Sequence, residues 1–143
     1  MVASLAPSVV GDPLPAPRAP LQKRAFGIQD LWSLRRFVSA RASEELLDSE
    51  RSERLVLAVN ELATNSIRHG GGTGTLLIWR EADALVCEVR DHGYIVHVPR
   101  VRPRPGPEAF SGRGLWLVGR LCDRVQVYSS PTGSAVRVHM RSG

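Results

Sequence analysis

Proline divides this chain. Nine of its ten prolines fall in two segments: Pro7, Pro13, Pro15, Pro17 and Pro20 near the start, and Pro99, Pro103, Pro105 and Pro107 much later. Proline fixes φ and has no N–H, so neither segment can continue a helix or sit in the middle of a sheet. Residues 1–24 therefore read as a flexible or polyproline-like leader, of the kind that links domains. The later segment, from Pro99 through Gly112, reads as a long loop inside a compact domain, and loops of that length are usually functional. Residues 25–142 are left for one folded domain, in keeping with a chain of 143 residues, 43% of them hydrophobic.

Within that domain the apolar spacing alternates between two periods. Leu31, Leu34, Phe37, Val38 and Ala42 recur every three or four residues and predict a helix over 30–47. Asp48 or Ser49 then caps a second helix. Its stripe runs Leu55, Val56, Val59, Leu62, Ala63, Ser66 and Ile67, and it stops at Gly70-Gly71-Gly72, where glycine can take a left-handed turn. Residues 75–80 and 84–90 are β-rich and form a hairpin across Glu81-Ala82-Asp83. A short apolar helix follows over 114–122, and a last hairpin joins 123–129 to 134–140 through Pro131-Thr132-Gly133. The order α, α, β, β, loop, α, β, β predicts an α+β two-layer sandwich, with helices on one face of a largely antiparallel sheet.

Charge and residue usage exclude several function classes. Of the 19 basic residues only Lys23 is lysine, and it lies in Gln22-Lys23-Arg24 with no glycine run before it and no Ser or Thr after it. A P-loop is therefore absent, and so is a kinase-type strand lysine. Any nucleotide site here has to work without an ammonium on the phosphates. The net charge of +5 admits an acidic partner, but the arginines are dispersed and aromatics are only 6% of the chain, which argues against direct nucleic-acid binding. No stretch has the length and apolarity of a membrane span or the form of a signal peptide. Cys87 and Cys122 each lie in an apolar run and read as buried, reduced thiols of a cytoplasmic protein.

Chemistry concentrates in three places. Glu61 and Asn65 are one turn apart on the second helix, so they share a face, and Arg68 and His69 continue that strip. A carboxylate and an amide at this spacing can hold a hard cation and a reactive hydroxyl or water. Asp91-His92-Gly93 ends the second strand, where a carboxylate can accept from an exocyclic amine and glycine lets a base approach. Gly112-Arg113-Gly114-Leu115-Trp116-Leu117-Val118 joins the long loop to the third helix, whose start presents backbone N–H groups to phosphate.

In that order, Glu61 to Gly70, Asp91 to Gly93 and Gly112 to Val118 resemble the N box and two glycine boxes of the GHKL ATP-binding superfamily. Among its members the string Gly-Arg-Gly-Leu-Trp-Leu-Val and the short length are most similar to bacterial anti-sigma-factor serine/threonine kinases of the actinobacterial regulatory type. The resemblance implies a Bergerat fold, with a mixed, mostly antiparallel sheet and about three helices on one face, binding ATP with Mg²⁺ under a lid. It implies that Glu61 is the general base, that Asn65 ligates Mg²⁺, and that Asp91 and Gly93 receive adenine. Gly112, Arg113, Gly114 and Leu115 then line the triphosphate, with Arg68 and His69 as further ATP contacts and Arg100, Arg102 and Arg104 in the lid. The implied partners are a sigma factor and an antagonist protein, and a homodimer is allowed. The chain departs from the pattern at Gly93-Tyr94-Ile95, where many members carry a second glycine; a non-catalytic ATP-sensing module is the alternative. No histidine precedes the N box, so a self-contained histidine kinase is excluded.

Overall fold

The computed structural model describes residues 8–9, 13–93 and 115–142. Its elements run β1 (Ser8–Val9), β2 (Gln22–Gly27), a 3-10 turn (Ile28–Asp30), α1 (Leu31–Glu44), α2 (Ser49–His69), β3 (Thr73–Glu81), β4 (Ala84–Asp91), α3 (Leu115–Leu121), β5 (Arg124–Ser130) and β6 (Gly133–Arg141). The strands form one six-stranded sheet in the order β1-β5-β6-β4-β3-β2. All neighbours are antiparallel except β1 and β5. The predicted α+β sandwich is therefore present, with both hairpins and all three helices.

The sheet contains two strands that the sequence pattern did not reveal. β2 pairs with β3 along its whole length, from Gln22 opposite Ile78 to Gly27 opposite Thr73. Its first half, residues 22–24, falls in the segment read as leader. It has no hydrophobic alternation because it is an edge strand, with Phe26 its only buried residue. The second is β1, whose two residues are too few for any periodicity.

Two-residue alternation sorts the central strands into two faces. Cross-strand rows such as Leu76, Val89, Val136, Val127 and Ile78, Cys87, Val138, Val125 face the helices. There they meet Leu34, Val38, Leu55, Val59, Leu62 and Val118 in the main core. α2 has the strongest start, because the Asp48 carboxylate accepts from Arg51 N at 2.8 Å and satisfies a donor that a helix start leaves orphaned. Glu45 joins the helical layer to the sheet: it accepts from Arg80 on β3 at 2.6 Å and from Arg41 at 2.9 Å, and these two cations hold its carboxyl below the usual range. Both thiols are reduced and buried. Burial pushes Cys122 up to about 12 and Cys87 higher still, so neither is a thiolate nucleophile.

The opposite face carries Leu77, Glu88, Arg137, Gln126 in one row and Trp79, Val86, His139, Arg124 in the next. Glu88 and Arg137 are 1% and 3% exposed, and Arg137 Nε donates to Glu88 Oε1 at 2.6 Å. Removing Glu88 would strand the buried Arg137 guanidinium, at about 3–5 kcal/mol, whereas removing Arg137 would leave Glu88 still paired with Arg90 Nε at 2.5 Å. Arg137 also stacks over the Trp79 ring, 4.8 Å from its centroid, and its Nη2 donates to the Pro15 carbonyl at 2.5 Å. The segment read as leader thus lies against this face of the sheet.

Candidate functional site

α2 delivers the first set of residues. Glu61 is half-buried, Asn65 is 9% exposed, and Arg68 and His69 stand exposed in the last turn. The helix ends because Gly71 and Gly72 take φ of +97° and +90°, a region that favours glycine, while Gly70 N and Gly72 N both donate to the Ser66 carbonyl. The left-handed turn expected across the three glycines therefore begins at Gly71.

β4 ends beside that turn. His92 N donates to the Gly70 carbonyl at 3.2 Å, which docks the strand end onto the helix end. Three donors fix the Asp91 carboxylate between them. Ser66 Oγ on α2 donates to Oδ2 at 2.7 Å, Ser134 Oγ on β6 donates to Oδ1 at 3.0 Å, and Gly93 N donates to Oδ1 at 2.8 Å. Each is a hydrogen bond to an ionised acceptor, the stronger kind. Gly70 allows the approach, since a Cβ built there would lie 2.3 Å from Asp91 Cγ.

Asn65, Asp91 and Leu115 come together on one narrow cleft, whose remaining walls are Leu62, Ser66, Val89 and Val136. Four apolar side chains suit the flat faces of a base, and a fixed carboxylate suits an amine at its rim. A roomier cavity of ≈ 600 Å³ lies on the other side of Asp91, against β2. It includes neither Asn65 nor Leu115; of the residues expected to bind ATP, Asn65, Asp91 and Leu115 line the smaller cleft, and Glu61, Arg68, His69 and Gly93 do not. Among the described residues no three His, Cys, Asp or Glu side chains cluster. Gly112, Arg113 and Gly114, with the lid arginines Arg100, Arg102 and Arg104, lie outside the described residues.

Sequence reasoning missed the two serines that hold Asp91. Ser66 was read only as part of the apolar stripe, and a hydroxyl within such a stripe was the signal available. Ser134 had none, because its role arises from the register that sets it opposite Asp91.

A two-layer sandwich with a helix amide, a strand-end carboxylate and a short third helix around one cleft defines an ATP-binding domain of the GHKL class. Residues 28–140 match the histidine kinase-like ATPase domain, and the chain belongs to that family. Among solved structures it is similar to the RsbU and RsbW domains of Rv1364c from Mycobacterium tuberculosis, with a TM-score of 0.65 at 16% identity over 86% of this chain. The chain spans 32% of that structure's length, and a likeness at this identity is one of fold. The histidine kinase AdeS of Acinetobacter baumannii aligns over 85% of this chain and 68% of its own, at 12% identity and a TM-score of 0.49. No curated protein matches the chain. Among the described residues no helix is long and apolar enough to cross a membrane.

Proposed function

We propose that the chain is a cytoplasmic anti-sigma-factor serine/threonine kinase, which holds a sigma factor and phosphorylates the antagonist that displaces it. The observation that carries this reading is the convergence of Asn65, Asp91 and Leu115 on one apolar-walled cleft, with Asp91 fixed by Ser66, Ser134 and Gly93. The fixed carboxylate receives the adenine amine, and Gly93 leaves room beside it. The family resemblance assigns the phosphates to Gly112, Arg113 and Gly114, with Arg68 and His69 as further contacts. Asn65 would hold Mg²⁺, which when bound would supply positive charge to offset that developing on the phosphates. Glu61, one turn before Asn65, accepts the proton of the substrate hydroxyl as its oxygen bonds to the γ-phosphorus and the bond to ADP breaks. The cleft encloses ≈ 10 Å³, so an entering base must part α3 from α2.

The test is single-turnover transfer of labelled γ-phosphate to the antagonist, with Glu61→Gln alongside. Transfer by the natural chain, lost in the variant while ATP still binds, is the expected result. Tight ATP binding without transfer to any antagonist would instead establish the non-catalytic, ATP-sensing module that Gly93-Tyr94-Ile95 favours.

A further inference from the structure

The face of the sheet without helices is filled unevenly. Its rows Leu77, Glu88, Arg137, Gln126 and Trp79, Val86, His139, Arg124 are bulky, but the next row toward the end of β4 reads Ala25, Thr75, Arg90, Ala135, Tyr128. Three of those side chains are small, so a hollow is left across the strands. The start of the leader segment roofs part of it, where Pro13, Leu14, Arg90, Tyr128 and Ala135 help to line a cavity of ≈ 520 Å³. That volume falls in the range of small-molecule sites.

The acids that border this cavity are already engaged. Glu88 is 1% exposed and accepts from Arg137 Nε through Oε1 and from Arg90 Nε through Oε2. Asp91 accepts from Ser134 and Gly93 N through Oδ1 and from Ser66 on α2 through Oδ2. What remains is donors. Two guanidinium groups stand against the one carboxylate of Glu88, which leaves a positive charge over. Arg90 gives Glu88 only its Nε, so among the described residues its two Nη groups have no acceptor, and neither does the Tyr128 hydroxyl.

We propose that this cavity is a binding site for an organic anion, a carboxylate or a phosphate ester that carries an apolar body. The Nη groups of Arg90 offer the planar fork that takes two oxygens of such an anion. Tyr128 adds a hydroxyl, while Pro13, Leu14 and Ala135 face the body. The cavity of ≈ 600 Å³ against β2 also reaches Arg90, but Asp30 stands in its wall and repels an anion, so the charge is drawn to the leader side. Ser134 lines the proposed site and donates to Asp91 at 3.0 Å. The site therefore lies one hydrogen bond from the carboxylate that the proposed function gives to adenine, on the other face of the sheet.

The experiment titrates the isotope-labelled full chain with benzoate, phenyl phosphate, benzyl alcohol and inorganic phosphate, following amide shifts by NMR. No nucleotide is present, so the outcome stands whether or not the chain binds ATP. Benzoate or phenyl phosphate should bind saturably and shift residues 88–92 and 128–135, and the tighter of the two names the head group. Benzyl alcohol has the body without the charge and inorganic phosphate the charge without the body, so each should bind about tenfold more weakly. Arg90→Gln leaves the bond from Arg137 to Glu88 in place and should weaken the organic anion by about tenfold, with near-UV dichroism unchanged. Leu14→Glu, which sets a carboxylate in the wall, should weaken it without touching Arg90. The proposal is overturned if neither organic anion gives a saturable shift, if the shifts centre elsewhere, if either variant binds as the natural chain does, or if a half-ligand binds as tightly as the whole.

Discussion

Replacing Gly70 by alanine tests how Asp91 is positioned. The new methyl carbon would lie 2.3 Å from Asp91 Cγ and 2.4 Å from Oδ2, where carbon contacts normally sit at about 3.5 Å, so something must move by about 1 Å. The backbone is not what resists, since the φ of Gly70 is −108°, which alanine adopts freely. The carboxylate has to yield, and Oδ2, which accepts from Ser66, is the oxygen beside the intruding methyl. A displaced hydrogen bond to a charged group costs about 1.5–3 kcal/mol. Alanine's smaller unfolded-state entropy returns up to about 1 kcal/mol. The net loss of about 1–2 kcal/mol lowers Tm by about 2–8 °C in a domain of this size. On the proposed reading the displaced carboxylate also meets adenine badly, so ATP affinity falls by about 10- to 100-fold.

Thermal melts and calorimetric titration with ATP measure both losses, and an Asp91→Gly background supplies the control. Asp91 Cβ would itself lie 2.7 Å from the new methyl, so the whole side chain has to go; in that background Gly70→Ala should cost almost nothing further in stability. Gly71→Ala separates steric from backbone effects. Its nearest contact would be His92 Cβ at 3.9 Å, but its φ of +97° strains alanine by about 1–2 kcal/mol, so it should lower Tm and spare ATP binding. Equal costs of Gly70→Ala with and without Asp91 would refute the argument.

Two further outcomes are expected. Asn65→Ala should weaken Mg-ATP far more than metal-free ATP in calorimetry; equal losses would remove the amide from the metal role. His139, half-buried against Gln126 at 3.1 Å, has its pKa lowered from 6.5, first by burial and then by Arg124. The unfolded chain therefore binds the proton more readily, so the stability contributed by neutral His139 is present above pH 6.5 and is lost as pH falls through the lower folded value. Melts between pH 7 and pH 5 should show this slope, and His139→Gln should flatten it.

The elements legible in the sequence were those whose partners are local or whose faces are half-buried. The stripe of α2 and the strands β3 to β6 show their burial in their spacing, and their bounds moved by only a residue or two. β2 was illegible because Gln22 to Ala25 face solvent and what makes them a strand is the distant row Thr75 to Ile78. The same holds for the site. Asp91 announces itself beside a glycine, whereas the serines that aim it come from α2 and β6, and only the fold brings them within 3.0 Å. Glu88 and Arg137 were unreadable as a pair for the same reason, 49 residues apart in the chain and 2.6 Å apart across the ladder.

The edges of the sheet bear on how this protein stays dispersed. An unpaired strand edge is a template for another chain's backbone, the route by which β-proteins coalesce without limit. Here one edge is a strand of two residues, too short to guide a newcomer. The other, β2, carries the exposed cations Lys23 and Arg24, the latter lying over the Phe37 ring of α1, so an approaching copy meets like charge there. Among the described residues neither margin offers a newcomer a long, neutral strand.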